Sequence, residues 1–176
     1  MKKKLLFING HLNTGGVEKS LLDILTHLDY SKYDVDLLLT EQLGDYAPQL
    51  PPQVQVLLRS IEGTYGSLPK VILSSIRKRD WFSLKMRLIF LLMRLFGNEK
   101  IALANKLLTG GMEYDCVIGF RRGLCTQIAC HAVNARHRIT WWHHGSVNVE
   151  PAAYLNEIEN SHNVVAVSDG CRKMLV

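Results

Sequence analysis

The chain has 176 residues, of which 47% are hydrophobic and 21% charged, and its formal net charge is +5, a balance typical of a globular domain with one sizeable core. The apolar runs at 5–8 and 88–93 are too short for the roughly 7–15 residue core of a secretory signal or the ~20 residues of a membrane-spanning helix. The four cysteines match neither a metal-binding CxxC pattern nor a compact disulfide framework, so we expect free thiols in a reducing cytoplasm.

The chain begins with a strand pattern and a helix pattern separated by a loop. Residues 5–8 are continuously apolar, and residues 17–28 repeat apolar side chains at helical spacing. Residues 33–40 and 54–58 then predict two further strands. Because strands that alternate with helices pair in parallel through right-handed crossovers, this order predicts an α/β fold with a Rossmann-like doubly wound, mostly parallel sheet flanked by helices.

The loop after the first strand, in the stretch "NGHLNTGGVEKSLLDIL", contains a pair of glycines. A Walker loop is excluded because Gly16 and Val17 stand where lysine and a hydroxyl residue are needed, and a dinucleotide fingerprint is excluded by a missing second glycine. Gly15 and Gly16 at a helix N-terminus still let free N–H groups and the helix dipole favour an anion. The alternative is a tight strand-to-helix turn with Thr14 as the cap.

Residues 68–108 are helical in composition and basic, and we predict that they form an insertion on the rim of the sheet. Basic residues interleaved with aromatic ones are typical of a helix that lies in a membrane interface. The alternative is a helix packed on the sheet with a solvated basic face; nucleic acid binding is not favoured, because the aromatics follow an apolar helical pattern. The residues assigned to the membrane surface are Arg77, Lys78, Arg79, Trp81, Lys85 and Arg87.

The second half repeats the alternation of strands and helices. Residues 114–120 predict a strand, 124–132 a helix, and 138–142 and 164–167 two more strands. Ser168 is positioned as the N-cap of a last helix, which the end of the sequence interrupts, so we expect the protein to continue.

Two pairs of side chains follow strands of this half. Arg121 and Arg122 are placed to meet an acceptor phosphate, the alternative being a solvated turn. His143 and His144 follow a strand at the sheet edge where ligands gather in open parallel sheets. Neighbouring side chains of a strand face opposite ways, so the two histidines are not expected to share one metal ion, and no metal site is predicted.

Three stretches together resemble family 4 glycosyltransferases. The stretch "NTGGVEKSLLDIL" is similar to the GG-x-E loop and first helix of that family, "ITWWHHGS" to its strand ending in His-Gly, and "VVAVSDGCRKML" to its apolar strand followed by Ser and a helix. They fall in the family's order and span residues 4–175. The resemblance implies the GT-B architecture of two facing Rossmann-like domains, and a retaining transfer of sugar from a nucleotide-diphosphate donor without a metal or other cofactor.

On this resemblance, residues 1–176 are the N-terminal, acceptor-side domain, in which Gly15 and Gly16 face the donor diphosphate and the acceptor. His144 is implied as the catalytic residue beside the donor sugar, where it would either hydrogen-bond the sugar and support charge in an oxocarbenium-like transition state or handle a proton. Without the resemblance, the alternative is a structural histidine. The chain departs from many members at Ser146, where they carry an acidic residue. It also lacks the two glutamates, eight positions apart, that the family's second domain uses for the donor.

The resemblance therefore implies that a nucleotide-sugar-binding domain is absent from this chain, which is predicted to be inactive alone. The implied partners are a nucleotide-sugar donor, a saccharide or lipid-linked acceptor and an anionic membrane surface, at the cytoplasmic face of the membrane. Two alternatives stay open: a non-catalytic binding or membrane-docking module of the same fold, and an unrelated phosphate-binding doubly wound enzyme such as a kinase or dehydrogenase.

Overall fold

The computed structural model describes residues 1–61, 68–96, 101–143 and 155–175. Its strands are β1 (Lys3–Asn9), β2 (Tyr33–Leu39), β3 (Val54–Leu58), β4 (Tyr114–Gly119), β5 (Ala135–Trp142) and β6 (Asn163–Ala166). Its helices are α1 (Gly16–His27), α2 (Leu68–Arg77), α3 (Trp81–Phe96), α4 (Ile101–Thr109), α5 (Leu124–His131), α6 (Leu155–Glu159) and α7 (Asp169–Leu175), with a short 3-10 helix at Ala47–Gln49.

The six strands form one sheet in the order β3-β2-β1-β4-β5-β6, and all five pairings are parallel. The chain builds outward from β1 to β3, crosses over to β4 beside β1, and builds outward again to β6. The predicted Rossmann-like doubly wound α/β fold is therefore confirmed, and the sheet is wholly rather than mostly parallel.

Helices cover both faces of the sheet, and this explains why the central strands are continuously apolar. On one face, Leu6 and Ile8 of β1 are buried with residues of α3, α4 and α5. On the other face, Phe7 of β1 is buried with Leu21 and Leu25 of α1. Because successive strand side chains point to opposite faces, an unbroken apolar run is what a strand buried on both sides requires.

The described residues of the segment 68–108 are mostly helical as predicted, but the expected place on the rim of the sheet is wrong for α3 and α4. Met86 and Ile89 of α3, with Ala104 and Leu108 of α4, are buried in the core cluster under that face. The segment connects β3 to β4, so it is the crossover whose helices must cover the sheet. Its length, and not its position, distinguishes it from the other crossovers.

A buried polar group joins three neighbouring strands. The Tyr114 hydroxyl on β4 donates a hydrogen bond of 2.7 Å to Oδ2 of Asp36 on β2, and Lys4 Nζ on β1 lies 3.6 Å from the same oxygen. Burial, followed by the contact with Asp36, raises the pKa of Tyr114 well above its usual value of 10.0. The pairing satisfies a carboxylate that would be costly to bury alone.

Smaller predictions were also tested by the structure. Ser168 caps α7 as expected, because its Oγ accepts a 3.2 Å hydrogen bond from the Cys171 N–H. All four cysteines are free thiols, and burial raises the pKa of Cys125 to about 12. The sequence reading missed α6 and the 3-10 helix, which are too short to carry a periodic pattern.

Candidate functional site

The carboxyl edge of the sheet changes direction between β1 and β4. After β1 the chain enters α1 on one face, and after β4 it enters α5 on the other, so the two connections diverge and leave a crevice. This is the point at which open α/β sheets bind ligands.

Five polar residues meet at this point, and we refer to them as the switch-point cluster. They are Asn9, His11, Glu18, Glu41 and Arg121. Asn9 is the last residue of β1, and His11 follows it. Glu41 follows β2, Arg121 follows β4, and Glu18 lies in the first turn of α1. Residues far apart in the sequence are thus brought together by strand order.

His11 is the centre of the cluster. Arg121 Nη1 donates to His11 Nε2 at 3.0 Å, and the His11 Nδ1 accepts the Asn13 N–H at 3.2 Å. Carboxylate oxygens lie slightly farther away, Glu18 Oε1 at 3.7 Å from Nδ1 and Glu41 Oε2 at 4.0 Å from Nε2. A neutral imidazole accepts a hydrogen bond at only one of its two nitrogens, so Arg121 and the Asn13 N–H compete for that single acceptor.

Gly10 allows the charged groups of neighbouring strands to meet across the end of β1. A Cβ at this position would lie 2.8 Å from Glu41 Oε1 and 2.9 Å from Arg121 Nη1. These two atoms are themselves 3.8 Å apart, and both side chains are partly exposed. Glycine leaves room for these two side-chain ends, so the ion pair forms over the end of β1.

Helix α1 begins at Gly16 with Gly15 as its N-cap, so the alternative in which Thr14 caps the helix is wrong about the capping residue. Thr14 is instead drawn to the loop after β2, where its N–H and its hydroxyl each donate a 3.0 Å hydrogen bond to Asp45 Oδ2. These two hydrogen bonds lower the pKa of Asp45 below its usual 3.8. The carboxylate of Asp45 competes successfully for a hydroxyl that would otherwise cap the helix.

Glu18 places a carboxylate at the start of α1. A Cβ at Gly15 would collide with Glu18 Oε2, and the Glu18 side chain is only 7% exposed. A negative group therefore already faces the N-terminus of the helix at Gly15. At Gly16, by contrast, a Cβ would meet no other atom of the described chain within 4 Å, so this glycine leaves its backbone open to approach.

The loop that carries His11 is fixed by the loop after β2. The Leu12 N–H donates to Leu43 O at 3.1 Å, and the Tyr46 N–H donates to Leu12 O at 2.8 Å. Gly44 has a φ of +81°, and a Cβ there would collide with the Leu12 backbone. Only glycine fits this conformation and this contact together.

Asn9, at the end of β1, also holds the loop that carries His11. Its side chain is fully buried, and its Nδ2 donates a 2.7 Å hydrogen bond to His11 O. Its Oδ1 is buried and accepts no hydrogen bond from the residues that the structure describes. The amide thus orients the backbone at His11 and leaves one acceptor unused.

The remaining predicted site residues are distributed as follows. Gly15, Gly16 and Arg121 all follow strands at the carboxyl edge of the sheet, and Arg122, next to Arg121 in the sequence, is half-buried. His143 follows β5 with its ring centroid 4.8 Å from that of Phe120, packed within an aromatic group. His144, the predicted catalytic residue, lies outside the described residues, as does Ser146.

The predicted membrane-surface residues belong to α2, α3 and their connection. Arg77, Lys78, Arg79, Trp81 and Lys85 are exposed, and Arg87 is half-buried. Within the described ranges, no helix combines the length and the hydropathy needed to cross a bilayer. The same ranges contain no group of three or more His, Cys, Asp or Glu side chains arranged to hold a metal ion.

The sequence reading missed His11, Glu18 and Glu41. The sequence did carry a pattern that could have identified Glu18, because a glutamate three residues after an N-cap has the spacing of a capping box. His11 and Glu41 each come within two residues of a strand end, but their meeting required the knowledge that β1 lies between β2 and β4. No family model matches the chain, and no curated protein matches it either.

Proposed function

We propose that this chain is the acceptor-side domain of a family 4-like glycosyltransferase of GT-B architecture. The reaction would transfer a sugar, with retention of configuration, from a nucleotide-diphosphate donor to a saccharide or lipid-linked acceptor. The observation that carries this proposal is the switch-point cluster, a set of polar side chains at the ligand-binding edge of a doubly wound sheet.

The chemistry of the cluster suits a polyhydroxyl acceptor. Sugar hydroxyls both donate and accept hydrogen bonds, and the cluster offers carboxylate acceptors on Glu18 and Glu41 beside the guanidinium donors of Arg121. Glu41 and Arg121 retain partly exposed side chains, so they are accessible at the crevice. A site built only for phosphate would not need two carboxylates.

The donor would approach from the side of Gly16. Neither a positive φ nor a close neighbour in the described chain requires glycine there, and a diphosphate oxygen would compete with the Glu18 carboxylate for the N–H groups of the first helical turn. The nucleotide would be held by a second, facing domain, and His144 would act beside the donor sugar, as the resemblance implies. We place the reaction in the cytoplasm at the inner face of the membrane.

The test is a titration of the ¹⁵N-labelled chain, in which the backbone amides of Gly15 and Gly16 report contact directly. We expect UDP-glucose and a disaccharide to shift these signals in the millimolar range, since each engages only half of a cleft. Arg121→Gln should weaken the UDP-glucose response about tenfold, because a hydrogen bond to a charged group is worth roughly 1.5–3 kcal/mol. Arg136→Gln is the matched control, since Arg136 is exposed at the start of β5, on the opposite edge.

Two results would refute the proposal. Micromolar binding of ATP or NAD would instead identify a phosphate-binding enzyme that is complete in this fold. The absence of any shift at Gly15 and Gly16 with UDP-glucose and with the disaccharide would remove the carboxyl edge as the site.

A further inference from the structure

Helix α3 is apolar on two opposite sides. One side is buried against the sheet, where Met86 and Ile89 have relative exposures of 0% and 3%. The other side points away from the core, and Leu88 and Leu95 are 57% and 64% exposed. An amphipathic helix of a globular domain normally presents polar residues on its outer side. The outer side of α3 therefore has more apolar surface than packing on this domain explains.

Helix α2 extends this apolar area. It packs against α3 through a connection at residues 78–80, and Leu73 and Ile76 are 70% and 51% exposed. We call the combined area the α2–α3 outer surface. Its exposed apolar residues are Ile72, Leu73, Ile76, Trp81, Leu88, Leu91 and Leu95.

The charge of the same segment is almost entirely positive. Residues 68–96 contain seven lysines and arginines and a single acidic residue, Asp80. Asp80 is used within the fold, because its Oδ1 accepts the Ser83 N–H at 3.0 Å in the first turn of α3. Lys78 and Lys85 are exposed beside the apolar residues. Exposed apolar side chains are thus combined with exposed positive charge on α2, α3 and their connection.

We propose that the α2–α3 outer surface binds the surface of an anionic lipid bilayer. The leucine and isoleucine side chains and Trp81 enter the boundary between headgroups and acyl chains, and the cations contact anionic headgroups. Lys85, in the middle of the exposed side of α3, keeps its ammonium group at headgroup level by extending its stem. This inference does not depend on the transfer reaction.

Charge and composition favour this partner over the other candidates. In a symmetric dimer the same surface would face itself and bring the exposed cations Arg77, Lys78, Arg79 and Lys85 of each chain towards those of the other, which is unfavourable. A nucleic acid would match the charge but would leave the exposed leucines of α3 without a partner. A bilayer with acidic headgroups satisfies both features at once.

The structure also revises which residues make the contact. Phe82, one of the aromatic residues of the segment, is partly buried and packs against the core. Leu88, Leu91 and Leu95 point outward instead, and these leucines are the main apolar contribution of α3. Periodicity could not select them, because both sides of the helix are apolar.

The experiment is co-sedimentation of the chain with vesicles of phosphatidylcholine alone or mixed with phosphatidylglycerol. We expect binding to the mixed vesicles, weakened by salt, and little binding to phosphatidylcholine. The double variant Leu88→Gln/Leu95→Gln should bind at least roughly tenfold more weakly, since the bilayer would no longer cover these two leucine side chains. Leu155→Gln, a change of an equally exposed leucine on α6, should bind like the wild type.

A second pair of variants tests the charge independently of the apolar residues. Lys78→Glu/Lys85→Glu should reduce binding to the mixed vesicles by roughly tenfold or more, whereas Lys173→Glu on α7 should have little effect. The proposal is overturned if the wild type does not bind mixed vesicles at low salt, or if the control variants lose binding as much as the test variants. It is also overturned if sedimentation shows a dimer that Leu88→Gln/Leu95→Gln dissociates, because a second copy would then cover the surface.

Discussion

The switch-point cluster and the α2–α3 outer surface are built by opposite means. The cluster takes residues from four separate parts of the chain and holds them with hydrogen bonds and ion pairs over distances of 3 to 4 Å. The outer surface comes from one continuous segment, and its character depends on which side of α3 packs inward. The order of the strands brings the residues of the first region together. The second region depends on which side of α3 faces the core.

The largest expected effect on stability tests which side of α3 faces the core. Ile89→Ala removes a buried side chain and should lower the free energy of unfolding by about 2–5 kcal/mol, because it leaves a cavity in the core. Leu88→Ala, one residue earlier on the exposed side, should change it by less than about 0.5 kcal/mol. Denaturant unfolding measures both. Equal losses would mean that the two sides of α3 are buried alike, and the outer surface would not exist.

The next effect tests the scaffold of the cluster. Gly44→Ala should lower the free energy of unfolding by about 2–3 kcal/mol, because it combines a left-handed backbone with a collision against Leu12. Gly110→Ala is the control, since its φ of +74° is similar but a Cβ there meets no atom of the described chain within 4 Å. It should cost only about 1 kcal/mol. If the two variants unfold alike, the loop after β2 does not hold the His11 loop.

A smaller effect separates the two carboxylates of the cluster. Glu18→Ala should destabilise the chain by about 1 kcal/mol, because the buried carboxylate faces the N-terminus of α1. Glu41→Ala should change stability by less than about 0.5 kcal/mol, since its side chain is 42% exposed and its ion pair is screened. Thermal unfolding of the two variants side by side measures the difference. A larger loss for Glu41 would reverse the roles assigned to the two residues.

The smallest effect depends on pH. The folded pKa of Asp45 lies below 3.8, so its contribution to stability is present above the unfolded pKa and is lost as pH falls through the folded pKa. Asp45→Asn should therefore be less stable than the wild type at pH 7, and the gap should narrow below pH 3.8. Urea unfolding at pH 7 and pH 3 measures the gap. If the stability difference between the wild type and Asp45→Asn is the same at both pH values, it comes from hydrogen bonding and not from the charge of Asp45.

The fold could be predicted because its signals are local. Continuous apolar runs such as residues 5–8 identify strands buried on both faces, and their alternation with helices implies parallel pairing. The position of α3 and α4 was missed because their long segment resembles an insertion in length. What decides their place is the need of the sheet for cover, which no window of the sequence contains.

The site was only half predictable. Gly15, Gly16 and Arg121 were found because each stands directly at a strand or helix end, where local sequence has meaning. His11 and Glu41 carry no such pattern, and their contacts follow from strand order alone. The alternative in which Thr14 caps α1 failed because its hydroxyl donates to a distant residue, Asp45.

The buried Glu18 carboxylate lies at the N-terminus of α1, where it would compete with any other anion for that helix end. Any anion that arrives there must displace a carboxylate that is tethered to the same helix and is therefore present at a high effective concentration. A small free anion gains at the helix end little more than Glu18 gives up. We expect a larger ligand that also engages the groups around His11 to overcome this competition more readily than a simple anion.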